Sequence, residues 1–89
     1  MALLDLLGRR WTLRVLWELR DEGLGFRELQ SRCDGMSASV LSTRLGELRE
    51  GAIVETDEAG VNRLTPDGIE LLEAFAPLDR WAKRWGGRR

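Results

Sequence analysis

The stretch FRELQSRCDGMSASVLSTRLGELREGAIVETDEAGVNRLT, residues 26–65, contains the change of hydrophobic period that decides the fold. Up to Leu48 the apolar residues recur every three or four positions; from Ile53 they alternate. The first pattern marks amphipathic helices and the second half-buried strands. Phe26, Leu29 and Cys33 share one face of a helix over 26–33. Asp34-Gly35-Met36 is a tight connection. Ser37 is a good N-cap for a helix running to about Glu50, with Val40, Leu41, Leu45 and Leu48 turned inward. Gly51 stands where a glycine just past the last turn would end that helix. Ile53-Val54-Glu55-Thr56 and Val61-Asn62-Arg63-Leu64 then read as two short strands. The turn Asp57-Glu58-Ala59-Gly60 between them makes a hairpin.

Working outward, Thr65-Pro66-Asp67 is a strong helix start, with a hydroxyl cap, proline at the first position and an acid in the first turn. That last helix carries Ile69, Leu72, Phe75, Leu78, Trp81 and Trp85. Pro77 lies inside the pattern and is expected to kink or split it. Upstream, Trp11, Val15, Leu16 and Leu19 predict an amphipathic helix over Trp11–Arg20, closed by Asp21-Glu22-Gly23, and Ala2–Leu7 predicts a short apolar helix. The order is helix, helix, helix–turn–helix, hairpin, helix. The expected class is mainly α with a small β-hairpin: a winged helix-turn-helix with extra N- and C-terminal dimerisation helices. One domain over 1–89 is expected, with the helix–turn–helix at about 26–50, the wing at about 53–65 and the C-terminal helix at about 66–85.

Composition narrows the chemistry. Eighty-nine residues that are 43% hydrophobic suffice for one small core. A charged fraction of 33%, with no apolar run near the roughly 20 residues that span a bilayer, argues against a membrane protein. Met1 leads directly into Ala2-Leu3-Leu4-Asp5-Leu6-Leu7, without the basic segment of a signal peptide. One cysteine and no histidine leave no internal disulfide, no usual zinc set and no histidine-based triad. A cytoplasmic, non-enzymatic domain without cofactor is expected. Cys33, spaced with Phe26 and Leu29, reads as a small buried hydrophobe rather than a reactive thiol.

The net charge of −1 is unevenly spread: residues 9–49 carry a net +2, residues 50–79 a net −7, and residues 80–89 a net +5. Thirteen of the fourteen cations are arginine, whose fork suits phosphates and guanine edges. In a helix–turn–helix the second helix enters the major groove by its N-terminal residues. Here that puts Ser37, Ala38, Ser39, Ser42 and Thr43 outward, with Arg44 on their flank, as candidate groove contacts. The same residues would serve equally as a solvated helix face. Arg27, Gln30 and Arg32 on the preceding helix, and Arg63 on the wing, are candidate phosphate contacts. The wing otherwise offers Glu55, Asp57 and Glu58, which repel DNA unless they point away from it. Surplus apolar residues at the two ends, Leu3, Leu4 and Leu7 with Leu78, Trp81 and Trp85, are candidates for a homodimer interface, although core packing would also use them.

Several motifs, in order, resemble the HxlR-type family of bacterial winged-helix transcriptional regulators. They are Leu7-Gly8-Arg9-Arg10-Trp11-Thr12-Leu13, Phe26-Arg27-Glu28-Leu29, Gly35 through Leu45, Leu48-Arg49-Glu50, Gly51-Ala52-Ile53-Val54, Leu64-Thr65-Pro66-Asp67-Gly68 and Trp81. The resemblance runs from about residue 3 to residue 82. It implies a homodimer, built from the first and last helices, that binds double-stranded DNA at an inverted repeat in a promoter. Two departures stand out. Members that sense electrophiles or oxidants carry a cysteine just before the tryptophan segment, and this chain has none there. The family wing is usually longer and more basic than this one. The acidic stretch from Glu50 to Asp79 favours an alternative from another class, a winged-helix module that binds protein and not DNA.

Overall fold

The computed structural model describes residues 3–87. Ala2, expected at the start of the first helix, and Arg88 and Arg89, counted in the basic end, lie outside the described residues. The elements are α1 (Leu3–Leu7), α2 (Thr12–Glu18), α3 (Phe26–Arg32), α4 (Ala38–Glu50), β1 (Val54–Thr56), β2 (Asn62–Leu64) and α5 (Pro66–Gly87). α3 and α4 form the helix–turn–helix, and β1 and β2 pair antiparallel with Val54 opposite Leu64. The core gathers Val15 and Leu16 from α2, Leu29 from α3, Leu41, Leu45 and Leu48 from α4, and Val54 from the wing, all essentially without solvent contact. Cys33 is buried in the same cluster, and burial pushes its thiol up, away from the reactive thiolate.

Local chemistry accounts for the helix ends. α2 begins at Thr12 rather than Trp11, because Trp11 adopts a left-handed conformation at φ 78. The Trp11 ring packs against the core cluster, under the Arg10 guanidinium at 5.4 Å. α4 starts as its sequence demands: Ser37 Oγ accepts from the Val40 amide at 3.1 Å. Its end differs from expectation. Gly51 keeps an ordinary φ, and the left-handed residue is Ala52, at φ 59. The Ala52 amide donates to the Arg49 carbonyl at 3.0 Å, and the Ile53 amide to the Leu48 carbonyl at 2.9 Å. This paired closure buries Ile53 beside Leu48, which offsets the strain of a Cβ at that position.

The hairpin turn is built by Asp57. Its Oδ1 accepts from the Ala59 and Val61 amides, at 2.9 and 3.0 Å, and its Oδ2 accepts from Arg63 at 3.0 Å. The Val61 amide and then the Arg63 guanidinium hold this carboxyl below the usual aspartate range. A depressed carboxylate adds stability above its unfolded pKa and loses it as pH falls through the folded value. The Tm gap between wild type and Asp57→Asn is therefore expected to be largest near neutrality and to close below about pH 4. A gap constant from pH 7 to pH 2.5 would remove Asp57 ionisation as its cause.

A third segment joins the wing. Leu24 bridges Asn62, with its amide donating to the Asn62 carbonyl at 2.9 Å and its carbonyl accepting from the Asn62 amide at 2.8 Å. The buried Asn62 side chain donates to the Leu24 carbonyl at 3.1 Å and accepts from Thr56 Oγ1 at 2.6 Å. Its polar atoms are thus satisfied inside an apolar setting.

α5 is one continuous helix of 22 residues, not two. Pro77 removes the donor for the Glu73 carbonyl, but both residues are exposed, so water can take the freed acceptor. Thr65 fixes the start of α5: its Oγ1 accepts from the Gly68 amide at 3.1 Å and donates to the Ala52 carbonyl at 2.7 Å.

Candidate nucleic-acid interface

α4 sits on its three buried leucines and turns Ala38, Ser39, Ser42 and Thr43 to solvent. Gly46 continues that face with nothing within 4 Å of where a Cβ would stand, and Arg49 ends it. The face is therefore a strip of small side chains closed by one cation. Two of its hydroxyls are partly committed. Ser37 Oγ caps the helix, and Thr43 Oγ1 donates to the Ser39 carbonyl at 3.0 Å. Ser37 retains its O–H as a donor, Thr43 retains lone pairs, and the hydroxyls of Ser39 and Ser42 are uncommitted to any described residue.

The structure sorts the expected cations. Arg27 is exposed and makes no ion pair with any described residue. Arg44 lies elsewhere than expected: its side chain is only 17% exposed and is folded onto the Glu47 carboxylate. Arg9 holds the other oxygen of Glu47 at 3.2 Å, so Glu47 ties the α1–α2 turn to α4. Arg32 is held between Glu22 and Glu28, at 3.1 and 3.0 Å, which raises its already high pKa. Arg63 is bound by Asp57. Gln30 is half-buried and donates to the Met36 carbonyl at 3.4 Å, bracing the turn. The fold gives these four residues partners within the chain that sequence spacing alone does not show. Arg49, which the sequence reading did not single out as a contact, is exposed, donates to Thr56 Oγ1 at 3.2 Å, and links the outer face of α4 to the wing. Its spacing of seven from Ser42 was the available signal.

On the wing, Glu55 and Glu58 stay exposed with no described partner, whereas Asp57 is consumed by the turn. At the ends of the chain, Leu4 is 80%, Leu78 55% and Trp81 47% exposed, and Leu3 and Trp85 are also exposed. Trp81 and Trp85 stack with centroids 5.8 Å apart. Leu7 differs: it is half-buried against its own core, behind the fully packed Leu6. No group of three or more metal-ligating side chains occurs among the described residues.

Residues 6–89 match the family model for HxlR-like helix-turn-helix proteins. The chain belongs to the HxlR-like helix-turn-helix family. This HxlR-like protein is 30% identical over 87 residues to the HTH-type transcriptional regulator YvaP of Bacillus subtilis, covering 91% of this chain and 81% of that one. It superimposes on the crystal structure of quinone-bound YodB from B. subtilis with a TM-score of 0.86 at 31% identity, covering 91% of each chain. A MarR-family regulator structure from Enterococcus faecalis gives 0.85 at 26% identity, covering 96% of this chain and 83% of that one. The HxlR-like chain is a helix-turn-helix transcriptional regulator, and its matched relatives are regulators rather than enzymes. No helix among its described residues is long and apolar enough to cross a membrane.

Proposed function

We propose that this regulator acts as a cytoplasmic homodimer whose two α4 helices enter the major groove of a palindromic operator. The observation that carries the reading is the exposed strip Ala38, Ser39, Ser42 and Thr43, continued by the half-buried Gly46, set on fully buried leucines and flanked by Arg27 and Arg49, neither of which has a described carboxylate partner. The major groove is about 12 Å wide, close to the diameter of a helix with its side chains. Small residues therefore let α4 approach the base edges, where Ser37, Ser39, Ser42 and Thr43 supply donors and acceptors. Arg27 and Arg49 neutralise phosphates and set the register. Selection from random duplexes tests the reading. It is expected to return an inverted repeat with half-sites about 34–36 Å apart. Failure to bind any duplex at low salt would overturn it and favour the protein-binding alternative, for which the exposed acids Glu55 and Glu58 would form the surface.

Two predictions arise directly. Arg27→Ala and Arg49→Ala are each expected to weaken binding to all sequences alike and to lower the salt slope by about 1. Arg44→Ala is expected to leave the slope unchanged and to lower the Tm, because it removes a clamp within the fold. A salt slope that responds to Arg44 and ignores Arg27 would reverse these roles. Glu58→Lys is expected to raise non-specific affinity and steepen the salt slope, since it converts a repulsive wing tip into a phosphate contact. An unchanged slope in fluorescence anisotropy titrations would place the tip away from the duplex.

A further inference from the structure

Two flanks border the outward face of α4. Successive residues of a helix turn by about 100°, so Glu47 and Arg49, two apart, leave α4 on opposite sides. Arg49 stands on the flank that meets the wing, through its bond to Thr56 Oγ1. Val40, Arg44 and Glu47 form the other flank and are half-buried. The turn between α1 and α2 reaches that flank at two points. Arg9 bonds Glu47 at 3.2 Å, and the edge of the Trp11 ring lies beside Gly35, just ahead of α4, 4.0 Å from where a Cβ would stand.

Arg10 stands between these two anchors. It is exposed and has no described carboxylate partner. Its guanidinium lies 5.4 Å from the centre of the Trp11 ring. A ring attracts a cation without neutralising it, so the charge and the N–H donors of Arg10 stay available. The turn that presents them is costly, because Trp11 is a bulky residue at φ 78, a region such residues avoid. The Thr12 amide donates to the Arg9 carbonyl at 3.3 Å, and the Val15 amide to the Trp11 carbonyl at 2.9 Å. With the ring packed against the core, these bonds hold the strained conformation. Strain maintained beside an exposed, uncompensated cation points to a role for the position of that cation.

Resting on the entry of α4 into the major groove proposed above, we infer that Arg10 and Arg49 clamp the two phosphate backbones on either side of that groove. A helix lying in the groove has one strand along each flank. Arg49 therefore binds a phosphate of one strand, and Arg10, on the opposite flank, binds a phosphate of the other. The neighbouring cations on the Arg10 side cannot take this part, because Arg9 and Arg44 are both held by Glu47. Contacts to both strands fix the tilt and depth of α4, which a cation on one flank alone leaves free to roll.

Arg10→Gln keeps a polar stem beside Trp11 and removes the charge, and circular dichroism checks that it folds. On the selected operator it is expected to lower the salt slope by about 1. Arg10→Lys, which keeps the charge, is expected to retain the wild-type slope, as is Arg9→Gln, whose charge is already taken by Glu47. Combining Arg10→Gln with Arg49→Ala is expected to lower the slope by about 2, since the two phosphates are separate. Phosphate-ethylation interference is expected to lose a signal on one strand with Arg10→Gln and on the other strand with Arg49→Ala. A slope that Arg10→Gln leaves unchanged while Arg27→Ala and Arg49→Ala lower it would overturn the clamp alone, as would signals lost from the same strand. A slope lowered equally by Arg10→Gln and Arg10→Lys would make Arg10 a brace for Trp11 and overturn its phosphate contact. Slopes that none of these arginines alters would overturn the proposed groove entry itself.

Discussion

Trp81→Ala is expected to abolish tight operator binding although the recognition helix is untouched. Trp81 is 47% exposed in the single chain, so the core of Leu16, Leu29, Leu41, Leu45 and Leu48 loses nothing by its removal. A tryptophan at an interface centre typically contributes at least about 2 kcal/mol. A two-fold interface contains it twice, so the loss is on the order of 4 kcal/mol, or roughly a thousandfold in the dimer Kd. A monomer reads one half-site only, and that is too few base pairs for a useful ratio of specific to non-specific binding. Deleting residues 78–89 is expected to give the same result. Light scattering on the variants, with anisotropy on the selected operator, checks both halves of the claim. Trp81→Ala that remains dimeric and binds normally would remove Trp81 from the interface. A variant that unfolds would make it a core residue.

Gly68→Ala is expected to be the most damaging methyl group in the chain. A Cβ there would lie 2.2 Å from the Ile53 carbonyl oxygen and 3.3 Å from both Ile53 C and Cγ2. That carbonyl cannot turn away, because it accepts from the Thr65 amide at 3.0 Å and from Thr65 Oγ1 at 3.2 Å. The first turn of α5 must therefore lift off the wing. Alanine gains about 1 kcal/mol of helix propensity over glycine. Displaced backbone, two weakened hydrogen bonds and lost packing outweigh it, and a net loss of about 2 kcal/mol is expected. For a domain of this size that corresponds to roughly 10 °C in Tm. Gly46→Ala is the control: it has open space around it, and the same propensity term is expected to stabilise the fold. Thermal melts in which the two substitutions move Tm in the same direction would refute the close-approach explanation for Gly68.

The helices and the hairpin were legible because their signals are local. Ser37 as cap, Thr65-Pro66-Asp67 as helix start and the switch from a period of 3.6 to one of 2 after Gly51 each act within a few residues. The small outward face of α4 was legible for the same reason: placing Leu41, Leu45 and Leu48 inward determines where Ser39, Ser42 and Thr43 point. What spacing did not show was which cations are engaged within the chain. Arg32 and Arg44 stand near acids in sequence, but spacing alone does not say that Glu28 and Glu47 close on them, nor that Glu22 and Arg9 arrive from other segments. α4 ends at Glu50 as expected, but the left-handed residue that closes it is Ala52 and not Gly51. A glycine is the usual left-handed residue, yet burying Ile53 beside Leu48 required Ala52 to take that conformation.

By itself, then, the sequence determined the element order, the inward face of each long helix, the lack of any histidine for catalysis and which side chains of α4 face outward. Each follows from bonded geometry and from the transfer of apolar groups out of water, both of which are encoded residue by residue. Tertiary structure alone decided the rest. It joined Leu24 to Asn62 across 38 residues, brought Gly68 onto the Ile53 backbone, and brought Arg9 to the Glu47 carboxylate that also holds Arg44. These contacts depend on where distant segments meet, and a charge or a glycine acquires its role only from the atoms that the completed fold places against it.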